Sequence, residues 1–234
     1  MTYYGWDPGR EIYLGVLPRF GRGEDIRWFK APNQFTSHVM NAFQEDSRIH
    51  LDACVSPGNL FPFFPEFGKP FDPSGMAVKL TRWTVDMGKP GAQFETSTVL
   101  TDFVGEFPRN DDRFQAKRYR HGWLLGFSGP RNSLGYVDLT TGTTEAWSAP
   151  ATHPVMEPCF IPRAPDAPEG DGWIAQALTN GQTMLTELNL FEAAAIAKGP
   201  IATVKIPFRL KPAYHGSWSD GALVRTSGLP SRSG

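Results

Sequence analysis

The stretch WFKAPNQFTSHVMNAFQEDSRIHLDACV, residues 28–55, carries the pattern that decides the fold. A short run around Trp28 ends at Pro32, and a brief loop follows. HVMNAF and RIHLDACV then stand on either side of the polar turn QEDS. Alternating runs separated by turn residues form a β-hairpin. In the first run His38, Met40 and Ala42 share one face, and Val39, Asn41 and Phe43 take the other. His38 therefore opens an inner strand just after an outer one has ended.

The same order recurs along the chain. Outer runs around Val99 (STVLTD), Trp147 (TEAWSAP) and Val204 (ATVKIP) are each followed by one metal-capable residue, namely Glu106, Glu157 and His215. The markers are 68, 51 and 58 positions apart. Each interval is long enough for four strands and a loop, nearer a kelch-type unit of about 50 residues than a WD40 unit of about 40–45. Repeats arranged radially bring their innermost strands to one axis. The expected fold class is therefore all-β, a β-propeller of about four blades over residues 1–218. Two imidazoles and two carboxylates aimed at that axis would form a metal site or the groups directly behind it.

Composition agrees with many turns and strands: 24 Gly, 21 Pro and 17 Phe in 234 residues. YVDLTTGTTEAW is a second hairpin, with Thr-Thr-Gly at its turn. FEAAAIAKG is the one good helix candidate, predicted over Phe191–Lys198 with Gly199 as its stop. After Trp218 the chain turns polar, and residues 219–234 are expected to be a disordered tail. The net charge is −1, with 23 basic against 24 acidic residues and no segregated blocks, so nucleic acid is not expected as a partner. No run approaches the ~20 apolar residues of a membrane span, and the start lacks a signal-peptide pattern. Cys54 and Cys159 alone make no disulfide framework, which suits a cytoplasmic setting.

Each marker also has a plainer explanation. A lone histidine such as His38 is more often a packed core residue than a ligand. Glu106 and Glu157 could be loop carboxylates paired with Arg109 and Arg163. Gly216 beside His215 gives room for close approach, and Tyr214 and Trp218 supply apolar walls. Of the other histidines, His50 should sit further from the axis, His121 on a surface strand and His153 in a loop. The aromatic stretch NLFPFFPEFGKPFDP fits neither strand nor helix. Phe61, Phe63 and Phe64 within it are candidates for a substrate entrance, or else a plug between blades. Phosphate-loop, nucleophile-elbow and zinc-helix motifs are not found.

LGVLPR, WFKAPNQFTSHVMNAF, GEFPRNDDRF, EPCFIPRAPDAPEGDGW and PFRLKPAYHGSW together resemble the carotenoid cleavage oxygenase family. FPFFP, LTRWTVDM and EGDGWI are most similar to its lignostilbene dioxygenase branch. The resemblance implies a seven-bladed propeller with Fe(II) on the axis, held by four histidines, three of them oriented by glutamates. His38 and His215 match the third and fourth of those histidines, and Glu106 and Glu157 match two of the glutamates. The segments carrying the first two histidines, the remaining glutamate and the opening blades do not occur here. The implied partners are O2, a hydrophobic or aromatic alkene (stilbenoid or apocarotenoid), and a chain carrying the missing N-terminal blades. The implied reaction splits a carbon–carbon double bond into two carbonyls. The competing expectation is a non-catalytic propeller fragment serving as a binding or scaffold module.

Overall fold

The computed structural model describes residues 5–60, 69–70, 77–126, 132–212 and 214–221. Phe61, Phe63 and Phe64, and positions 222–234 of the polar tail, lie outside them. β1 (Glu11–Val16) and β2 (Arg27–Pro32) form an antiparallel pair. The first full blade contains β3 (Phe35–Glu45), β4 (Arg48–Ser56), β5 (Lys79–Asp86) and the first part of β6 (Thr96–Asn110). The second part of β6 begins the next blade with β7 (His121–Gly126), β8 (Ser133–Asp138) and β9 (Thr144–Ser148). β10 (Val155–Pro162), β11 (Gly172–Thr179), β12 (Thr186–Glu192) and β13 (Ala202–Ile206) make the third. Where about four blades were expected, the described residues form three complete blades and one further strand pair.

β6 belongs to two blades. Thr96–Val99 runs along β5, and Gly105–Asn110 runs along β7. At the turnover Phe103 packs onto two glycines, where a Cβ would stand 2.8 Å (Gly105) and 2.5 Å (Gly135) from its ring. The innermost strands β3, β6 and β10 are neighbours in that order. Burial follows position. β7 and β8 in the middle blade are covered on both faces and read as nearly continuous apolar runs, whereas β1 alternates and β13 is largely exposed.

The cores lie between blades. Met40, Phe43 and Cys54 of the first blade meet Leu124 and Val137 of the second. Trp123 and Tyr136 of the second meet Phe160, Ile174 and Phe191 of the third. Polar clamps reinforce both layers. Tyr119 Oη donates to the buried Asp52 at 2.7 Å, which also takes two Arg82 hydrogen bonds. Arg113 donates to the Ala164, Pro165 and Ala167 carbonyls and to Asp111.

The helix expected over Phe191–Lys198 is not formed. Phe191 and Glu192 finish β12, and only Ile196–Lys198 makes a single 3-10 turn, stopped by Gly199 at φ 85°. Tertiary packing overrides alanine's helix preference here. Phe191 is fully buried edge-on to Trp147, and the Ala193 carbonyl accepts the Trp123 indole N–H at 2.9 Å. His121 is half-buried rather than on an open surface, with Nδ1 2.7 Å from Tyr136 Oη. Among the described residues no helix is long and apolar enough to cross a membrane.

Trp123 is completely buried, stacks on Phe160 at 5.0 Å and ties blade to blade through its indole. Trp123→Ala is expected to lower the unfolding free energy by about 3–5 kcal/mol, and Trp123→Phe by about 1–3 through the orphaned carbonyl. Urea denaturation of both variants checks this ordering.

Candidate metal centre

Three markers sit on inner strands at irregularities of the ladder. Thr36 and Val39 face Val55 and Ala53, so three steps on β3 match two on β4, and His38 lies inside that bulge. Val155 and Pro158 face Leu178 and Gln176, which puts Glu157 inside the same kind of bulge on β10. On β6 the extra residue falls between Glu106 and Arg109, where Phe107 takes a positive φ of 50°. A bulge bends its strand and re-aims the side chains beside it. His215 differs, standing beyond β13 outside any strand.

The four markers come together as two imidazole–carboxylate pairs. His38 Nδ1 is 2.7 Å from Glu106 Oε2, and His215 Nδ1 is 3.4 Å from Glu157 Oε1. Each pair joins neighbouring units. Glu106 also accepts from the Ser37 hydroxyl and the Phe107 backbone N–H, and Glu157 accepts the Gly216 N–H at 2.7 Å. The carboxylate side chains are 4 % and 6 % exposed, while the imidazoles are 30 % and 62 % exposed. Buried acceptors therefore stand behind open rings. An imidazole engaged through Nδ1 carries its proton there and leaves Nε2 as a lone-pair donor, the tautomer that outer carboxylates favour at metal sites.

The two rings face each other edge-on with centroids 5.2 Å apart. Imidazoles sharing a metal at about 2.0–2.1 Å per nitrogen bring their ring centres to about 4.5–5.5 Å, so this pair fits a common ion. Neutral imidazoles suit borderline divalent metals, iron among them. Among the described residues no group of three or more His, Cys, Asp or Glu could hold a metal, and the facing imidazoles are a pair of donors. The thiols do not compete. Burial pushes Cys54 up, with Glu106 adding to the effect, and burial pushes Cys159 up against the opposing pull of Arg109.

Two contributors were not singled out from sequence. Phe107 packs 4.6 Å from the His38 ring and 5.8 Å from His215, with Tyr214 beyond it at 6.4 Å. Its place between Glu106 and Pro108 in GEFPR was the available signal. Ser37, next to His38, is the other. Of the two arginines considered for the carboxylates, Arg109 lies 3.7 Å from Glu157, whereas Arg163 pairs with Asp171 and Glu192. His50 contacts Phe43 and Thr84 on the outer side of β3, and His153 is buried in its loop.

The family model of the retinal pigment epithelial membrane protein matches residues 1–220. The lignostilbene-α,β-dioxygenase isozyme III of Sphingomonas paucimobilis is 40% identical, over 96% of this chain and 49% of its own. The isoeugenol monooxygenase of Pseudomonas putida is 38% identical, over 92% and 48%. The crystal structure of Pseudomonas brassicacearum lignostilbene dioxygenase superposes with a TM-score of 0.86 at 37% identity, covering 93% of this chain and 48% of that one. The chain spans about half the length of the curated relatives it matches.

Glu106→Ala removes the shared acceptor of Ser37, His38 and Phe107. It should lower stability by about 1–3 kcal/mol, with Glu106→Gln losing less because one oxygen remains. Denaturant midpoints of the two variants would test this.

Proposed function

Since the chain belongs to the carotenoid cleavage oxygenase family, we propose that it carries half of a non-haem Fe(II) site that splits a carbon–carbon double bond with O2. The observation that carries the proposal is the facing pair of imidazoles, each with a buried carboxylate behind Nδ1. His38 and His215 would hold the metal through Nε2. Glu106 and Glu157 would fix the tautomer and ring orientation without binding it themselves. Fe(II), when bound, supplies the electrons that make O2 reactive toward an alkene. The protein's own work is positioning and exclusion of water. Phe107 packs against both rings and gives them an apolar neighbour.

The two remaining ligands would come from the half of the relatives that this chain does not span. The substrate class we favour is a phenolic aromatic alkene, because the lignostilbene and isoeugenol enzymes are relatives at 40% and 38% identity. Phe61, Phe63 and Phe64 remain candidates for its entrance, and the setting we expect is cytoplasmic. The second reading, a propeller module without catalysis, is favoured by one observation: among the described residues the facing imidazoles are joined by no third group that could hold a metal.

The isolated chain should bind Fe(II) weakly and show little oxygenase activity. Combined with the N-terminal half of a lignostilbene dioxygenase, it should hold one Fe(II) and consume O2 with a 4-hydroxystilbene. His38→Ala or His215→Ala should abolish both properties. Glu106→Gln and Glu157→Gln should weaken iron retention or turnover by roughly 10–100-fold without unfolding the chain. Wild-type iron content in the two histidine variants would sink the assignment and leave the binding-module reading.

A further inference from the structure

We propose that Arg109 is a positioning residue for His215, acting through Glu157, so that β6 supports both imidazoles of the pair. The proposal rests on the reading of His38 and His215 as metal ligands and extends it to a residue that touches neither ring. Arg109 Nη1 lies 3.7 Å from Glu157 Oε1, the same oxygen that stands 3.4 Å from His215 Nδ1. The other oxygen, Oε2, is held by the Gly216 N–H. The carboxylate is thus gripped from the third blade's own end by a backbone amide and from the middle blade by a cation.

The guanidinium is placed at some cost. Its side chain is 21 % exposed, Nη2 reaches Asp112 only at 3.8 Å, and Nε is buried without a hydrogen-bond partner. Cys159 also lies within hydrogen-bonding reach of the guanidinium, so Arg109 sits against β10 at more than one point. What the position gains is an ionised acceptor in a weakly solvated setting, where charge pairs act strongly. The bulge on β6 explains how one strand reaches two neighbours. Glu106 on one side of it meets His38 of β3, and Arg109 on the other side meets Glu157 of β10.

Without the cation, Glu157 is free to turn from Oε1 contact with His215, whose ring is the more exposed of the two. The His215 proton would then move from Nδ1 to Nε2, the nitrogen a metal needs unprotonated. The effect should be confined to His215, because the groups holding Glu106 toward His38 are left in place.

The test reads the tautomer of each histidine by two-bond proton–nitrogen NMR on the full chain labelled at histidine. Spectra are taken at about pH 8. Wild type should have the Nδ1–H form at His38 and His215. Arg109→Gln should convert His215 largely to the Nε2–H form and leave His38 unchanged. Glu157→Gln should reproduce that change, and Arg109→Lys, which keeps the charge, should reverse most of it. An unaltered His215 in Arg109→Gln, or an equal change at His38, would overturn the proposal. If Arg109→Gln does not fold, Glu157→Gln and Arg109→Lys decide: a shifted His215 in the first alone supports it, and no shift in the first overturns it. Cobalt(II) added to wild type separates this outcome from the metal reading. Broadening of the His38 and His215 signals supports that reading, and unaffected signals remove it whatever the tautomers do.

Discussion

The outer half of β6 hydrogen-bonds to β5 and its inner half to β7, and the rest of the structure depends on that handover. A strand that changes partners midway fixes the angle between two blades without a loop. The turnover is held by Phe103 against Gly105 and Gly135, where no side chain could intrude. Everything near the axis is then measured from β6. β3 lies on one side with His38, β10 on the other with Glu157, and the bulge near Phe107 lets one strand address both. The interblade cores around Leu124 and Trp123 supply the apolar burial that makes this register costly to change.

The fold was legible because its signals are local. QEDS between two alternating runs gives the hairpin β3–β4, and Thr-Thr-Gly gives β8–β9, where the Asp138 carbonyl accepts the Gly142 N–H and Gly142 takes φ 73°. Placement after an outer strand was enough to single out four residues that the structure brings together. Their pairing was not legible in the same way. Glu106 serves a histidine on the blade before it and Glu157 one beyond the last strand, and spacing within a unit says nothing about neighbours across units.

The bulges were invisible for a related reason. An extra residue in one strand is a property of two strands in register, and no residue type in FTSHVMNAF announces it. The β3 run has register shifts between Thr36 and Val39 and between Val39 and Asn41, so strict alternation does not hold along it. FEAAAIAKG misled in the opposite direction. Its alanines favour helix locally, but Phe191 and Ile196 have places waiting in the interblade core, and burial of both outweighs a few tenths of a kcal/mol per alanine.

His38 and His215 reach their shared position by unlike routes. The first is built into a paired strand, so its position is settled when the sheet forms. The second sits beyond the last strand, where Thr186 holds Phe208 and Leu210, and Glu157 and Phe107 hold the stretch around His215. For an ion that uses both nitrogens, one half of the site therefore depends on a strand in register and the other on the contacts that hold the segment after β13. Linkage makes the coupling mutual. Whatever factor those contacts add to the affinity for the ion, the ion must return as the same factor in favour of those contacts.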